Sequence, residues 1–458
     1  MAFDPLTAVH RFGLGPSPEF ALPQAADALL EEAAARDPFA RSHPIVTTDK
    51  LFALDVTYRE KRGLVREAEG QAAKDAAREE ARAVSRQARD RAFDDFRALF
   101  VRHVGRPYGL SERLVTFWSD HFTAVGSGAI GQYGGASYAN EAIRPHIMGR
   151  FPVMARAVLR APLMLSYLDQ VLSTGPNSLI GKRRKGRGLN ENLAREFLEL
   201  HTLGVDGPYS QDDVRQLATL LTGLSIERGK GFVFRPGIVE PGAERVLGQS
   251  YGGDTIDAID AAVEDLALHP ETARHLARKL AVHFVSDTPD DGLVRHISTR
   301  YLASDGDLAE TTAALLEHPA AWNAARQNVK WPIDFVSSSL RALGISASAI
   351  ESASMRDVRT LAVNPMGRMG QPWGSAPDPA GWEEEDTSWI TPQAVAERVS
   401  WAMRAPVRLT SELPDPRDLL ALVAGDSAPP ELRFAVDAAQ NRQEGVGLVL
   451  ASPSFQRR

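Results

Sequence analysis

A predominantly helical body with a few short strands is the fold class this sequence predicts, and three observations predict it. Apolar residues recur at helical spacing through most of the chain, helix-starting residues (Pro, Ser, Asp, Asn) stand ahead of those runs, and two-residue alternation is rare and short. Of the 458 residues, 43% are hydrophobic and 24% charged, a balance that supports a folded core and excludes global disorder. The formal net charge of −7 argues against a general nucleic-acid binder, which carries a basic excess. With no cysteine, the chain has no disulfide, thiolate metal site or cysteine nucleophile. No run approaches the ~20 apolar residues that cross a bilayer. The opening Met1-Ala2-Phe3-Asp4-Pro5 lacks the basic and then apolar pattern of a leader. The chain as given therefore reads as soluble and cytoplasmic, with the periplasm left open because a cysteine-free chain suits both compartments.

In chain order, residues 9–16 read as a short arm broken by Gly13, Gly15 and Pro16, followed by a helix over 20–36. Residues 52–104 keep a charged helical pattern with few breakers, which predicts a solvated long helix or a helical hairpin. Residues 111–122 combine an N-cap type, an apolar stripe and a terminal Asp120-His121 pair. The run Gly126-Ser127-Gly128-Ala129-Ile130-Gly131 satisfies a dinucleotide-binding pattern literally. A helix precedes it where that motif needs a strand, so it reads as a glycine-rich turn.

Two helices enter through Pro152 and Pro162. The basic run Lys182-Arg183-Arg184-Lys185-Gly186-Arg187 then leads into a helix starting at Asn190, where free N–H groups favour an anion. Residues 175–182 match a P-loop too loosely for ATP, because Arg183 stands where magnesium needs Ser or Thr. A helix capped by Ser210, a short hairpin strand over 230–237 and a helix over 270–285 follow. His275 and His283 on that last helix are roughly 12 Å apart along its axis, too far to share a metal. They read as packed or surface histidines. Helices recur over 290–303, 308–316 and 332–343, and residues 365–389 form a Pro/Gly/Trp-rich loop of the kind that is commonly functional. The segments group into an arm with a first helix (1–50), the charged helix or hairpin (51–105), a main helical domain (106–408) and C-terminal helices with a tail (409–458).

The stretch that organises this reading is residues 189–204. On a helical wheel Glu191, Asn192, Arg195, Glu196, Glu199 and Thr202 share one side, and Leu193, Ala194, Phe197, Leu200 and His201 the other. Three polar clusters are candidates to converge: Asp120 with His121, Arg144 with His146, and Asn192, Arg195, Glu196 and Glu199. Glu196 and Glu199 sit one turn apart, as in helical-bundle metal sites. With His121 and His146 they make an oxygen-and-imidazole set suited to a divalent metal that activates water. Glu196, Glu199, His121 and Asp120 are the catalytic candidates. Arg144, Arg195, Asn190, Asn192, Lys182 and Arg183 are the candidates for holding an anionic substrate. No Gly-x-Ser-x-Gly elbow is present and strands are few, which disfavours a Ser-His-Asp hydrolase. A carboxylate-only pair, Glu196 with Glu199 or Asp120, would fit glycoside or ester cleavage. The plainer alternative makes Glu191, Arg195 and Glu196 ion pairs that lock helices together.

Several stretches resemble the bacterial domain-of-unknown-function 1800 family (DUF1800): Arg11-Phe12-Gly13-Leu14-Gly15, Phe117-Trp118-Ser119-Asp120-His121-Phe122, Arg144-Pro145-His146, and above all Asn190-Glu191-Asn192-Leu193-Ala194-Arg195-Glu196-Phe197-Leu198-Glu199-Leu200-His201-Thr202-Leu203-Gly204. His269-Pro270 with Ala277-Arg278-Lys279-Leu280, and Gly370-Gln371 with Pro379-Ala380-Gly381-Trp382, extend the resemblance almost to the C-terminus. It implies a largely helical fold, no settled activity, and a partnership with the sulfatase/phosphatase-like DUF1501 family. This chain departs from the pattern at Val239-Glu240-Pro241-Gly242, where relatives usually read His-(Asp/Glu)-x-Gly.

Two readings follow. In the first the protein is a hydrolase, metal-assisted, acting on an anionic or carbohydrate-like substrate; it requires the charged face of 189–204 to point into a cavity with His121 and His146. In the second it is a non-catalytic scaffold or maturation partner of a DUF1501 protein, and that face is closed by ion pairs. Nucleic acid and membrane are not expected partners.

Overall fold

The computed structural model describes residues 3–183, 188–227, 229–323 and 325–458. Arg184, Lys185, Gly186 and Arg187 of the basic run lie outside the described residues. Helices dominate; the described strands are β1 (Leu224–Glu227) with β2 (Gly231–Phe234) and β3 (Ala243–Val246) with β4 (Gln249–Gly252), two separate antiparallel hairpins. The expected all-α class holds, and the alternation over 230–237 is β2.

The helices that position the site are α1 (Asp27–Ala34), α2 (Thr48–Glu67), α3 (Gln71–Gly105), α4 (Leu110–His121), α5 (Asn192–Glu196), α6 (Gln211–Leu220), α7 (Pro270–Phe284), α8 (Pro332–Ala342), α9 (Pro392–Arg404) and α10 (Arg442–Ala451). Their starts carry recognisable chemistry. Ser210 and Asp213 form a reciprocal capping box at α6. Thr391 and Asn441 accept the third backbone N–H of α9 and α10. Pro270, Pro332 and Pro392 occupy first-turn positions whose N–H has no partner in a helix.

The charged pattern over 52–104 folds as a hairpin, α2 returning as α3. Ala81 and Ala88 of α3 are 2% and 0% exposed, small residues seven apart on its inner face. The remaining charges pair along the outside, as Arg78 with Asp75 and Arg86 with Glu79.

Buried apolar side chains fall into two main clusters. One runs from Ala8 to Trp322. The second joins Phe96, Phe100, Val101 and Val104 of α3 to residues from Val329 to Phe455. The division falls inside the stretch read from sequence as one main domain. Helix α4 is enclosed on almost every side: Glu112, Arg113, Asp120 and His121 are all buried. Arg113 reaches from α4 to Asp334 of α8, where Arg458 also bonds, so a buried ionic contact joins the two clusters.

The 189–204 segment departs from the regular helix its periodicity predicts. Only α5 is α-helical, and Phe197–His201 continues as a π-turn. Gly204 ends the segment with φ +86°, a left-handed conformation that suits glycine. The wider turn leaves the carbonyls of Leu200 and His201 for outside donors, and His275 Nε2 and His121 Nε2 take them at 3.0 and 3.1 Å.

Candidate functional site

Helix α4 presents Thr116, Ser119 and Asp120, with Thr123 just past its end, to a cavity of about 460 Å³ between the two clusters. Trp331 and Ile333 at the start of α8 form one wall. The Trp-rich loop supplies Gln371, Trp373 and Trp382, and Tyr133, Asn140 and Arg144 also line it. Aromatic faces with a few hydroxyl and amide groups are what a small organic ligand with ring faces requires. The loop expected to be functional from its composition is therefore a wall of the cavity.

Asp120 is the carboxyl of this wall. Its Oδ1 accepts the Trp382 backbone N–H at 2.8 Å, and only 7% of the residue is exposed. Burial pushes its proton affinity up to about 8; the nearby Lys279 works against this, while Glu384 and Asp378 add to it. Near neutral pH the group is a carboxylic acid, a proton donor. Gly381 makes the contact sterically feasible: at φ +91°, an added Cβ would lie 2.6–2.7 Å from the Asp120 carboxyl atoms. Gly381→Ala is expected to push the loop off Asp120 and lower stability by about 1–3 kcal/mol. It should also readmit water, so that the Asp120 midpoint, followed by carbon-13 NMR, falls below about 8. An unchanged midpoint together with unchanged stability would contradict the contact.

Behind Asp120 lies a relay of ionisable groups. Arg113 Nη2 faces His283 Nε2 at 3.0 Å, and a guanidinium only donates, so Nε2 accepts and the ring proton sits on Nδ1. Nδ1 then donates to both Glu384 oxygens, at 2.9 and 3.0 Å. Burial pushes the Glu384 carboxyl up to about 7, against the pull of Arg458, Lys279 and Arg113. The loop is thus pinned twice within four residues, at Trp382 to α4 and at Glu384 to α7. Lys279 stands one helical turn from both His275 and His283 on α7, and its charge is felt by Asp120, His121, His201, His275, His283 and Glu384.

The candidates read from sequence are distributed differently from the expectation. Asp120 stands at the cavity. Arg144 borders it too, but is held bidentately by the buried Glu112 at 2.6 and 2.8 Å. His121 points the other way, into an aromatic cage of Phe117, Trp118, Phe122 and Phe151, with Nε2–H on the His201 carbonyl; burial holds it well below the usual imidazole range. His146 is half-buried in the Arg144–His146 turn, and burial lowers its proton affinity.

Arg195 bridges Glu191 at 3.2 Å and Glu199 at 3.5 Å and also reaches Gln211, while Arg215 approaches Glu191 at 3.6 Å. This face is a closed ion-pair ladder to α6, and the cavity takes no lining residue from it. Burial, then Glu199, raises the Glu196 carboxyl; Asp378 is near enough to influence both Glu196 and Asp120. Among the described residues no group of three or more His, Asp and Glu side chains is set to hold a metal ion, so His121, His146, Glu196 and Glu199 do not form the shared ligand set expected of them. The reason is orientation, since His121 is turned into the core, Glu199 lies in the outer ladder, and Glu196 is half-buried away from the cavity lining.

Asn190 Oδ1 accepts the Asn192 N–H at 2.9 Å, a local turn at the start of a five-residue helix. Lys182 and Arg183 lie in an exposed turn. Val239 packs beside Gly223, and Glu240 clasps Asn177 at 2.7 and 2.5 Å. His201, Lys279, His283, Asp378, Trp382 and Glu384 were not among the candidates; the Gly381-Trp382 and Lys279 motifs were the available signals.

Fold and site together define a helical protein with a tryptophan-walled cavity between two cores and a buried carboxyl of raised proton affinity on its wall. The chain belongs to the family described as "Protein of unknown function (DUF1800)", whose profile matches residues 7–457. Neither a curated protein nor a solved structure matches the chain. Among the described residues no helix is long and apolar enough to cross a membrane.

Proposed function

We propose that the protein is an acid-assisted hydrolase for a carbohydrate-like substrate held in the tryptophan-walled cavity, with Asp120 as the general acid. The observation that carries this is the buried Asp120 carboxyl, protonated near neutral pH, on the wall of a cavity with three tryptophans. Ring faces would stack on Trp331, Trp373 or Trp382, and Ser119, Thr116, Asn140 and Gln371 would take hydroxyl groups. The Asp120 proton passes to the leaving oxygen as its bond to carbon breaks. Water adds at that carbon, and its proton returns to the carboxylate. This replaces the expected Glu196/Glu199 chemistry with a site on α4, and no step passes through a metal.

The test is turnover of a panel of neutral oligosaccharides and their acyl esters between pH 5 and 9 (roughly the span in which a raised carboxyl titrates), by wild type and Asp120→Asn. Asparagine keeps the acceptor for Trp382 N–H but has no acidic proton. Loss of turnover with binding retained supports the reading; equal turnover by both proteins sinks it. The same variant carries a stability signature. Because the folded Asp120 holds its proton up to about 8, wild-type stability should decline as pH rises from the ordinary carboxylate range through that value. Asp120→Asn should flatten that decline, measured by urea unfolding at pH ~5 and ~9.

The closed ladder of Glu191, Arg195 and Glu199 favours a second reading, a scaffold for a DUF1501 sulfatase/phosphatase-like partner. A stoichiometric complex of the two purified proteins that survives Asp120→Asn, with no turnover on the panel, would shift the conclusion to it.

A further inference from the structure

The inner cavity has a neighbour on its outer side. A second, more open cleft of about 650 Å³ shares Ala92, Tyr133, Pro372 and Trp373 with it, so Trp373 and Tyr133 stand at the junction. The outer cleft is lined by Arg89 of α3, by Arg359 and Arg368, and by Phe93 and Phe96. Among its described lining residues there is no carboxylate. Arg89 meets Asp90 at 2.9 Å and Arg368 meets Glu397 at 2.6 Å, both carboxylates outside the lining, and Arg359 has no such partner among the described residues. The cleft lining thus carries three guanidiniums and no carboxylate on a protein of net charge −7; Asp90 and Glu397 partner two of them from outside the lining, and Arg359 is left without a carboxylate among the described residues. A concave surface of one sign concentrates the opposite charge, and the planar guanidinium fork suits carboxylate, sulfate or phosphate oxygens. The floor is aromatic and fixed: Phe96 packs edge-on to Trp373 with centroids 4.9 Å apart and stacks on Phe100 at 4.6 Å.

We propose that this outer cleft is an anion subsite continuous with the cavity, so that the ligand is an elongated, ring-bearing molecule: its uncharged unit beside Asp120, its acidic unit between Arg89, Arg359 and Arg368. The proposal rests on the cavity reading above and names its substrate class, an oligosaccharide carrying carboxylate or sulfate groups. Phe93 and Trp373 supply the apolar faces along the passage, and Asp120 is the one carboxyl the ligand meets among the lining residues of the two spaces.

The test is calorimetric titration of the full chain with cellotetraose, a galacturonate tetrasaccharide and a sulfated tetrasaccharide, at low and at physiological ionic strength. Wild type is expected to bind one or both acidic ligands about tenfold tighter than the neutral one, with the advantage shrinking as salt screens the charges. The galacturonate and sulfate arms identify which acidic group is preferred. In an Arg89→Gln/Arg359→Gln variant, both substitutions at exposed positions, the acidic preference should vanish while cellotetraose affinity is unchanged. Neutral binding with no acidic preference in wild type, or a preference that survives the double variant, overturns the subsite alone. Absence of all binding overturns the cavity reading and the subsite with it.

Discussion

Glu112→Ala is expected to lower stability by about 3–5 kcal/mol, because it strands the buried Arg144 guanidinium, whose carboxylate partner it is, and leaves Arg106 to Glu32 at 2.8 Å. The Glu112 side chain is fully enclosed, holds Arg144 bidentately and lies 3.5 Å from Arg106 Nε. Burial by itself would raise its carboxyl; the charge and hydrogen bonds of Arg144, with His103 and Arg106 behind, reverse this and pull it to about 2. A carboxyl held near 2 in the folded chain and near 4.5 when unfolded contributes stability that is complete above the unfolded value and is lost as pH falls through the folded one. Wild type should therefore lose stability between pH ~4.5 and ~2, on the order of 3 kcal/mol, and Glu112→Gln should lack this part of the acid limb. Urea unfolding across that range reads both effects. A loss under ~1 kcal/mol at neutral pH would mean that Arg144 finds water or another partner. Since Arg144 borders the cavity, the same variant should also weaken ligand binding.

Asp334→Asn is expected to cost a similar ~3–5 kcal/mol, and to loosen the two clusters from one another. Asp334 on α8 bonds the guanidiniums of Arg113 and Arg458, and these overcome its burial to hold its carboxyl below the usual range. Asparagine keeps the shape and removes the charge. Arg113 and Arg458 then repel each other next to the buried Lys330, whose own proton affinity burial already lowers. Adding Arg113→Met should recover part of the loss, giving a coupling energy of at least ~1 kcal/mol in a double-mutant cycle. Independent, additive costs would show that the contact does not join the clusters. Trp331, which precedes the same helix, and Ile333 in its first turn wall the cavity, so tryptophan fluorescence should report its disturbance before global unfolding.

Much of the fold was legible because it rests on local rules. Periodicity and end signals place α6 behind Ser210, α7 behind His269-Pro270 and the turn at Gly204. Charge density with few breakers predicts a long helix or a helical hairpin, of which the fold takes the hairpin, and alternation predicts β2. The site was legible only in part. Asp120 and Arg144 were candidates and stand at the cavity, and the Trp-rich loop was singled out by composition. The segment 189–204, the main source of site candidates, closes on itself instead: Arg195 has Glu191 and Glu199 one turn away on either side, so the ladder needs no ligand. The π-turn was hidden because a shift of hydrogen-bond partner by one residue leaves the apolar spacing intact.

Local periodicity, capping residues and composition decide that this chain is helical, where most of its helices begin and end, and that its long tryptophan loop is unlike the rest. They act over a few residues, and side-chain spacing records them. Which groups meet is decided by the folded chain alone. Arg113 finds Asp334 across 221 positions, and Arg458 finds it across 124. Asp120 meets the Trp382 N–H across 262. The proton on Asp120 depends on those meetings, because burial under a distant loop makes its ionisation costly, and no run of neighbouring residues encodes that burial.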